Sequence, residues 1–326
     1  MPTVNPHLDL LISEVGPRDG LQSVSRTMPT AAKKRWLDAL YAAGLREIEV
    51  TSFVPAKLMP QLADAAEVVA HALTLPDLVV AALVPNLKGA QAAIAAGVHK
   101  ITIPSSASEA HSRANVRKTR EQMVEEVRNI VALRNDTARE VEIEAAVSVA
   151  FGCTLQGRVP EDDVIRLMEQ LIAAGADVSG MADTTGMANP AQVRRLYRWA
   201  IAAVGVAKVG SAHMHNTRGL GLANCLAAYE EGIHTFDSSL AGLGGCPHAP
   251  GASGNVVTED LVMMFEAMGL RTGIDIEKLI AARQSLLAGL PGEPLWGMTA
   301  GAGLPMGFVY ADGRTPTFPR TESNNA

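Results

Sequence analysis

The sequence predicts one α/β domain, closed as an eight-stranded parallel barrel of the TIM (β/α)8 type. Three observations lead there. Short β-rich runs alternate with longer Ala- and Leu-rich segments of helical period, the pattern of strands feeding crossover helices. About eight such units can be counted, the number that closes a ring of right-handed crossovers. No linker rich in Pro, Ser or charge divides the series, and 326 residues is a length that barrels of this kind fill as a single domain.

Taken in order, the expected strands are Leu10–Val15, Glu47–Phe53, Leu78–Val84, Lys100–Pro104, Val141–Phe151, Val178–Asp183, Val209–His215 and Thr235–Leu240. Ala-Ala-Gly ends three of the intervening helices, at 42–44, 95–97 and 173–175, where glycine is the usual left-handed cap before a strand. A doubly wound sheet is the competing arrangement. It needs a GxGxxG fingerprint after its first strand, and Gly16-Pro17-Arg18-Asp19-Gly20 is not one. Residues 1–290 are therefore assigned to the barrel. Residues 291–326, rich in Gly, Pro and Met and then polar, are expected to be a C-terminal extension acting as a lid or a loose tail.

Composition narrows the function. Hydrophobic residues at 48% and charged residues at 19% supply a sizeable core and argue against extended disorder. A net charge of -6 disfavours a nucleic-acid partner, and no apolar run reaches the length of a membrane span. The odd, sparse set Cys153, Cys225 and Cys246 suits a reducing compartment, and the first residues lack signal- or transit-peptide character, so a cytoplasmic location is expected. Exposed helices around a barrel make a homo-oligomer, a dimer in the simplest case, the expected assembly.

Barrels of this type carry their chemistry at the C-terminal ends of strands, and five places there are rich in reactive groups. Glu14, Arg18 and Asp19 crowd the end of the first strand, with Gln22 just beyond. Glu49 is a carboxylate inside an apolar strand and needs a partner, for which Arg18 on the neighbouring strand is suited. Asp183 ends the sixth strand, where it is either a turn aspartate or a catalytic one. His213 and His215, two residues apart, project from one face of the seventh strand, so a single cation could take both imidazoles. Asp19 becomes their neighbour once the barrel closes, and one Asp with two His suits Mg²⁺ or Mn²⁺ better than zinc. Finally, Cys246 lies in a loop of glycines and prolines rather than an apolar element, which favours a proton-transfer or nucleophilic role. Cys225, within a helix, is expected in the core.

These residues sit in longer motifs. Gly-Pro-Arg-Asp-Gly-Leu-Gln (16–22), Glu-Val-Thr-Ser-Phe-Val (49–54), His-x-His (213–215) and Ala-Gly-Leu-Gly-Gly-Cys-Pro (241–247) together resemble the hydroxymethylglutaryl-CoA lyase family, metal-dependent acyl-CoA lyases related to the isopropylmalate synthase group. The resemblance spans about residues 10 to 285. It implies cleavage of 3-hydroxy-3-methylglutaryl-CoA to acetyl-CoA and acetoacetate. Asp19, His213, His215 and Asn255 are implied as metal ligands, and Arg18, Glu49, Asp183 and Cys246 as catalytic residues. Glu14, Gln22, Ser52, Asn115, Gly244 and Gly245 are implied in holding the substrate or its coenzyme A. The chain departs from the family pattern at Glu144, where an arginine is usual, at Gly180, where a serine is usual, and at Asn216 and His248. Those changes keep open another branched 3-hydroxyacyl-CoA, such as citramalyl-CoA, as the substrate. A Claisen-type synthase is a weaker rival, since such enzymes lack the Gly-Gly-Cys-Pro loop, and a non-catalytic scaffold would bind no divalent ion.

Overall fold

Strands covered by helices on one side and filled by side chains on the other have no solvent face, and β2 shows the result: all six of its residues are buried. The computed structural model describes residues 7–137, 139–244 and 254–317. Its strands are β1 (Leu11–Glu14), β2 (Glu47–Ser52), β3 (Val79–Leu83), β4 (Lys100–Ser106), β5 (Glu142–Ser148), β6 (Ser179–Ala182), β7 (Val209–His213) and β8 (Thr235–Ser238). They run parallel in sequence order and close into a barrel through β1 and β8. All eight expected strands form, with ends displaced by a few residues. The largest trim is in β5, which stops at Ser148 because Val149 takes a positive φ of 53° and the chain turns away.

The Ala-Ala-Gly caps behave as helix caps should. Gly44, Gly97 and Gly175 have φ of 108°, 95° and 101°, values that a side chain would strain. Between strands and helices lies one apolar layer that includes Trp36, Ile48, Val80, Ile101, Phe236 and Phe265, all essentially inaccessible. Full burial of each such side chain is worth roughly 1.5–3 kcal/mol, which lets the barrel interior carry the charged groups described below.

The segment expected as a lid or loose tail is, as far as residue 317, a strap fastened to the barrel. The Trp296 amide donates to Ala241 O at 2.8 Å, Arg283 donates to Trp296 O at 2.9 Å, and Tyr310 Oη accepts from the Ile276 amide at 3.0 Å. Phe308 and Tyr310 are buried, so apolar packing adds to these bonds. No helix among the described residues is long and apolar enough to cross a membrane.

Candidate active site

After β1 the chain makes one wide turn, Gly16–Gly20, in which the amides of Arg18, Asp19 and Gly20 all point at Val15 O. The turn brings Arg18 and Asp19 over the seam where β1 meets β2 and β8. Arg18 donates through Nε to Glu49 Oε2 at 2.5 Å and through Nη1 to Asp19 Oδ1 at 2.5 Å. A register shift in β2 between Glu49 and Thr51 locally re-aims that strand beside the guanidinium. Gln22 also donates to Asp19 Oδ1, at 2.6 Å.

On the other side of Asp19 stand the two histidines. His213 Nε2 is 4.0 Å from Asp19 Oδ2 and 3.2 Å from His215 Nε2. One ligand atom from each of Asp19, His213 and His215 lies within 4.8 Å of the others. The Asn255 amide donates to Asp19 Oδ2 at 2.7 Å, which leaves its Oδ1 buried without a partner. His213 Nδ1 is 3.0 Å from Asp237 Oδ2, an arrangement that places the ring proton on Nδ1 and a lone pair on Nε2, aimed at the cluster. Buried polar atoms are normally paired, so an orphaned carbonyl oxygen beside a carboxylate and two imidazoles fits a bound divalent cation.

The electrostatics agree with that donor set. Burial alone would raise Asp19, but Arg18, His213 and His215 hold it down at about 2, fully ionised. Burial pushes His215 down to about 4 and keeps its imidazole neutral, the form that binds metal. For His213 burial acts in the same direction, yet Asp237 outweighs it and the ring becomes more basic. A cation and a proton compete for the same Nε2, so the partner that favours the proton also strengthens the ligand.

Asp183 has two different oxygens. Oδ1 accepts from the amides of Met187 and Ala188 at 2.8 and 3.1 Å, which is the turn role, while Oδ2 is buried with no partner. Burial raises this carboxyl to about 7. Glu49 Oε1 is likewise unpartnered.

The remaining implied binding residues divide. Gly244, with φ 110°, lies where a Cβ would come within 2.7 Å of Asn255 Nδ2, so its lack of a side chain protects the site. Glu14 stands apart from the Asp19 cluster. Its carboxyl group is fully buried and accepts from the amides of Gly16 and Leu240 and from Thr258 Oγ1, so it ties β1 to the chain beyond β8. Ser52 is also buried, its hydroxyl 3.7 Å from Met59 Sδ and outside the Asp19 cluster. Asn115 is exposed on the helix Glu109–Val116. Gly245, Cys246 and His248 lie outside the described residues. Cys225 is buried, as expected of a core residue.

Sequence reasoning missed Asp237, the partner of His213. It also missed the setting of Glu144, whose carboxylate lies 2.8 Å from Lys100 Nζ at the other end of the barrel interior. Acidic residues at two-residue spacing, Glu47 with Glu49 and Glu142 with Glu144, were the available signal, because that spacing puts both on one face of a strand.

Comparison with known proteins gives the chain a family. The HMGL-like family model matches residues 9–286. The hydroxymethylglutaryl-CoA lyase YngG of Bacillus subtilis is 41% identical over 274 residues, 83% of this chain and 90% of the relative. The mitochondrial hydroxymethylglutaryl-CoA lyase of Gallus gallus is 38% identical over 82% of this chain and 89% of its own length. Among solved structures, the hydroxymethylglutaryl-CoA lyase of Pseudomonas aeruginosa superposes with a TM-score of 0.85 at 38% identity, covering 90% of this chain and 97% of the other. An HMG-CoA lyase from Acinetobacter baumannii, in complex with coenzyme A and 3-methylmalate, gives a TM-score of 0.86 at 40% identity over 94% and 99%. On the span of the family match and the identity to these relatives, the chain belongs to the HMGL-like family, that of the hydroxymethylglutaryl-CoA lyases.

Proposed function

We propose that this chain cleaves 3-hydroxy-3-methylglutaryl-CoA to acetyl-CoA and acetoacetate with the help of a divalent cation, Mg²⁺ or Mn²⁺. The observation that carries the reading is the convergence of Asp19, His213 and His215 within 4.8 Å, beside the Arg18–Glu49 pair, in a chain of this family. Asp19, His213, His215 and Asn255 Oδ1 would hold the cation. Its chemistry there is that of a Lewis acid, which lowers the pKa of the substrate's tertiary hydroxyl.

The protein's own groups account for the rest. Asp183, with a free Oδ2 and a pKa of about 7, is matched to take the hydroxyl proton near neutrality. As the C2–C3 bond breaks, its electron pair moves into the thioester fragment, which leaves as the enolate of acetyl-CoA. Arg18 is the cation for that developing oxyanion, and the ion pair with Glu49 sets its orientation in advance. Cys246 returns a proton to the enolate carbon, the role its motif implies. The C3 fragment departs as the ketone of acetoacetate.

The relative solved with coenzyme A and 3-methylmalate supports a site for a CoA thiol alongside a branched hydroxy diacid. A panel of 3-hydroxyacyl-CoA thioesters, hydroxymethylglutaryl and citramalyl among them, with release of acetyl-CoA as the readout, tests the assignment. Fastest turnover of hydroxymethylglutaryl-CoA, abolished by chelation and restored by Mg²⁺ or Mn²⁺, is expected. Preference for citramalyl-CoA, or turnover untouched by chelation, would overturn it.

A further inference from the structure

Glu144 is a buried carboxylate outside the Asp19 cluster, and its surroundings explain why a carboxylate is at home there. Lys100 Nζ lies 2.8 Å from Oε2. Oε1 accepts from the Ser211 amide at 2.9 Å and from Ser211 Oγ at 3.0 Å. A Cβ on Gly180 or on Gly210 would come within 2.4 or 2.5 Å of the same oxygen, so the two glycines make the room it occupies. With its side chain 3% exposed, Glu144 offers no surface to a substrate.

The network continues upward. Ser211 Oγ is also 3.2 Å from Asp237 Oδ2, the oxygen that pairs with His213 Nδ1. A hydroxyl has one proton and here two carboxylates compete for it. Ser211 is therefore a clasp: its amide fixes it on Glu144, Lys100 offsets the charge of Glu144, and the hydroxyl restrains Asp237. Without that hydroxyl Asp237 Oδ2 would keep His213 Nδ1 but lose the contact that ties it to the support below.

We propose that Ser211, seated on the Glu144–Lys100 pair, is a positioning residue for His213, holding through Asp237 the ring orientation and tautomer that present Nε2 to a cation. The proposal rests on the reading that Asp19, His213 and His215 bind a divalent ion. It also gives Glu144 and Gly180 a common purpose, a support beneath the site.

Two measurements on the full chain test it. In the first, chelator-stripped protein is titrated with Mn²⁺ and the free ion is counted by electron paramagnetic resonance. Ser211→Ala should bind about 10-fold more weakly than the parent, the scale on which partners of metal-ligating histidines act. Glu142→Gln, which touches Lys100 but not Ser211, should bind as the parent does. The second needs no metal: the downfield proton resonance of a His Nδ1–H bonded to carboxylate, assigned through its loss in His213→Gln, should shift or broaden in Ser211→Ala while thermal unfolding stays cooperative. Unchanged affinity with an unshifted resonance overturns the proposal, as does an equal loss of affinity in Glu142→Gln. A parent protein that binds no Mn²⁺ refutes the metal reading instead, and the resonance then decides the positioning role alone.

Discussion

Two charged clusters occupy one barrel interior, and they differ in what they leave unpaired. At the N-terminal ends of β2, β4 and β5, Lys100 is 2.8 Å from Glu144, 3.2 Å from Glu47 and 3.5 Å from Glu142, and none of these side chains has an orphaned buried atom. At the opposite ends, Glu49 Oε1, Asp183 Oδ2, His215 Nδ1 and Asn255 Oδ1 are all buried without partners. A satisfied network specifies and rigidifies a core. Atoms left over in a buried site are the mark of a place built for something else. The first cluster is thus support and the second the candidate site, although both set buried charges of opposite sign side by side.

Substitutions can break or sharpen that contrast. His213→Ala, at the unsatisfied end, should remove Mn²⁺ binding and lower turnover on the order of 10³-fold, the loss expected when several kcal/mol of Lewis-acid stabilisation disappear, with little change in the unfolding midpoint of metal-free protein. Retained stoichiometric Mn²⁺ in that variant would remove the distinction. Lys100→Met, at the satisfied end, should do the reverse in kind, costing about 3–5 kcal/mol in urea denaturation because two nearly inaccessible carboxylates, Glu47 and Glu144, lose their counter-ion. A loss below about 1 kcal/mol would mean the lower network is not structural.

Glu14 supplies a smaller effect with a definite sign. Burial raises it from 4.5 to about 8. Between those values the folded chain holds a proton that the unfolded chain releases, so stability falls as pH rises through this window and is highest below it. Glu14→Gln keeps an acceptor for the Leu240 amide and cannot ionise, so its stability should be flatter than the parent's from pH 5 to 8. Parallel curves in denaturation series across that range would contradict it. The smallest change is expected for Glu142→Gln, since that carboxylate is 30% exposed and 3.5 Å from Lys100: within about 1 kcal/mol in the same assay.

The division also shows what a sequence discloses. Alternating periodicity and glycine caps depend only on local chemistry, so all eight strands could be placed from them, and His213-x-His215 or Arg18 with Glu49 could be paired by strand parity and adjacency. Glu14 shares a motif with Arg18 and Asp19, yet its partners, Leu240 and Thr258, lie more than 200 residues on in the chain, beyond β8. Asp237 and Lys100 were invisible for the same reason: nothing local says that Thr-Phe-Asp-Ser will lie beside the histidine that ends β7, or that one lysine will gather three acids. Such groups acquire meaning only through long-range pairing.

That seam between β1 and β8 has a consequence for how the protein matures. Asp19 and Asn255 touch across 236 residues of chain, and β1 has no partner on its open side until β8 arrives. Non-local contacts of this kind form late, after the entropic cost of bringing distant segments together has been met. A cation held by Asp19, His213 and His215 would therefore arrive after the early steps of folding, and a nascent chain that has not yet reached β7 would lack both histidines and have no place to keep it.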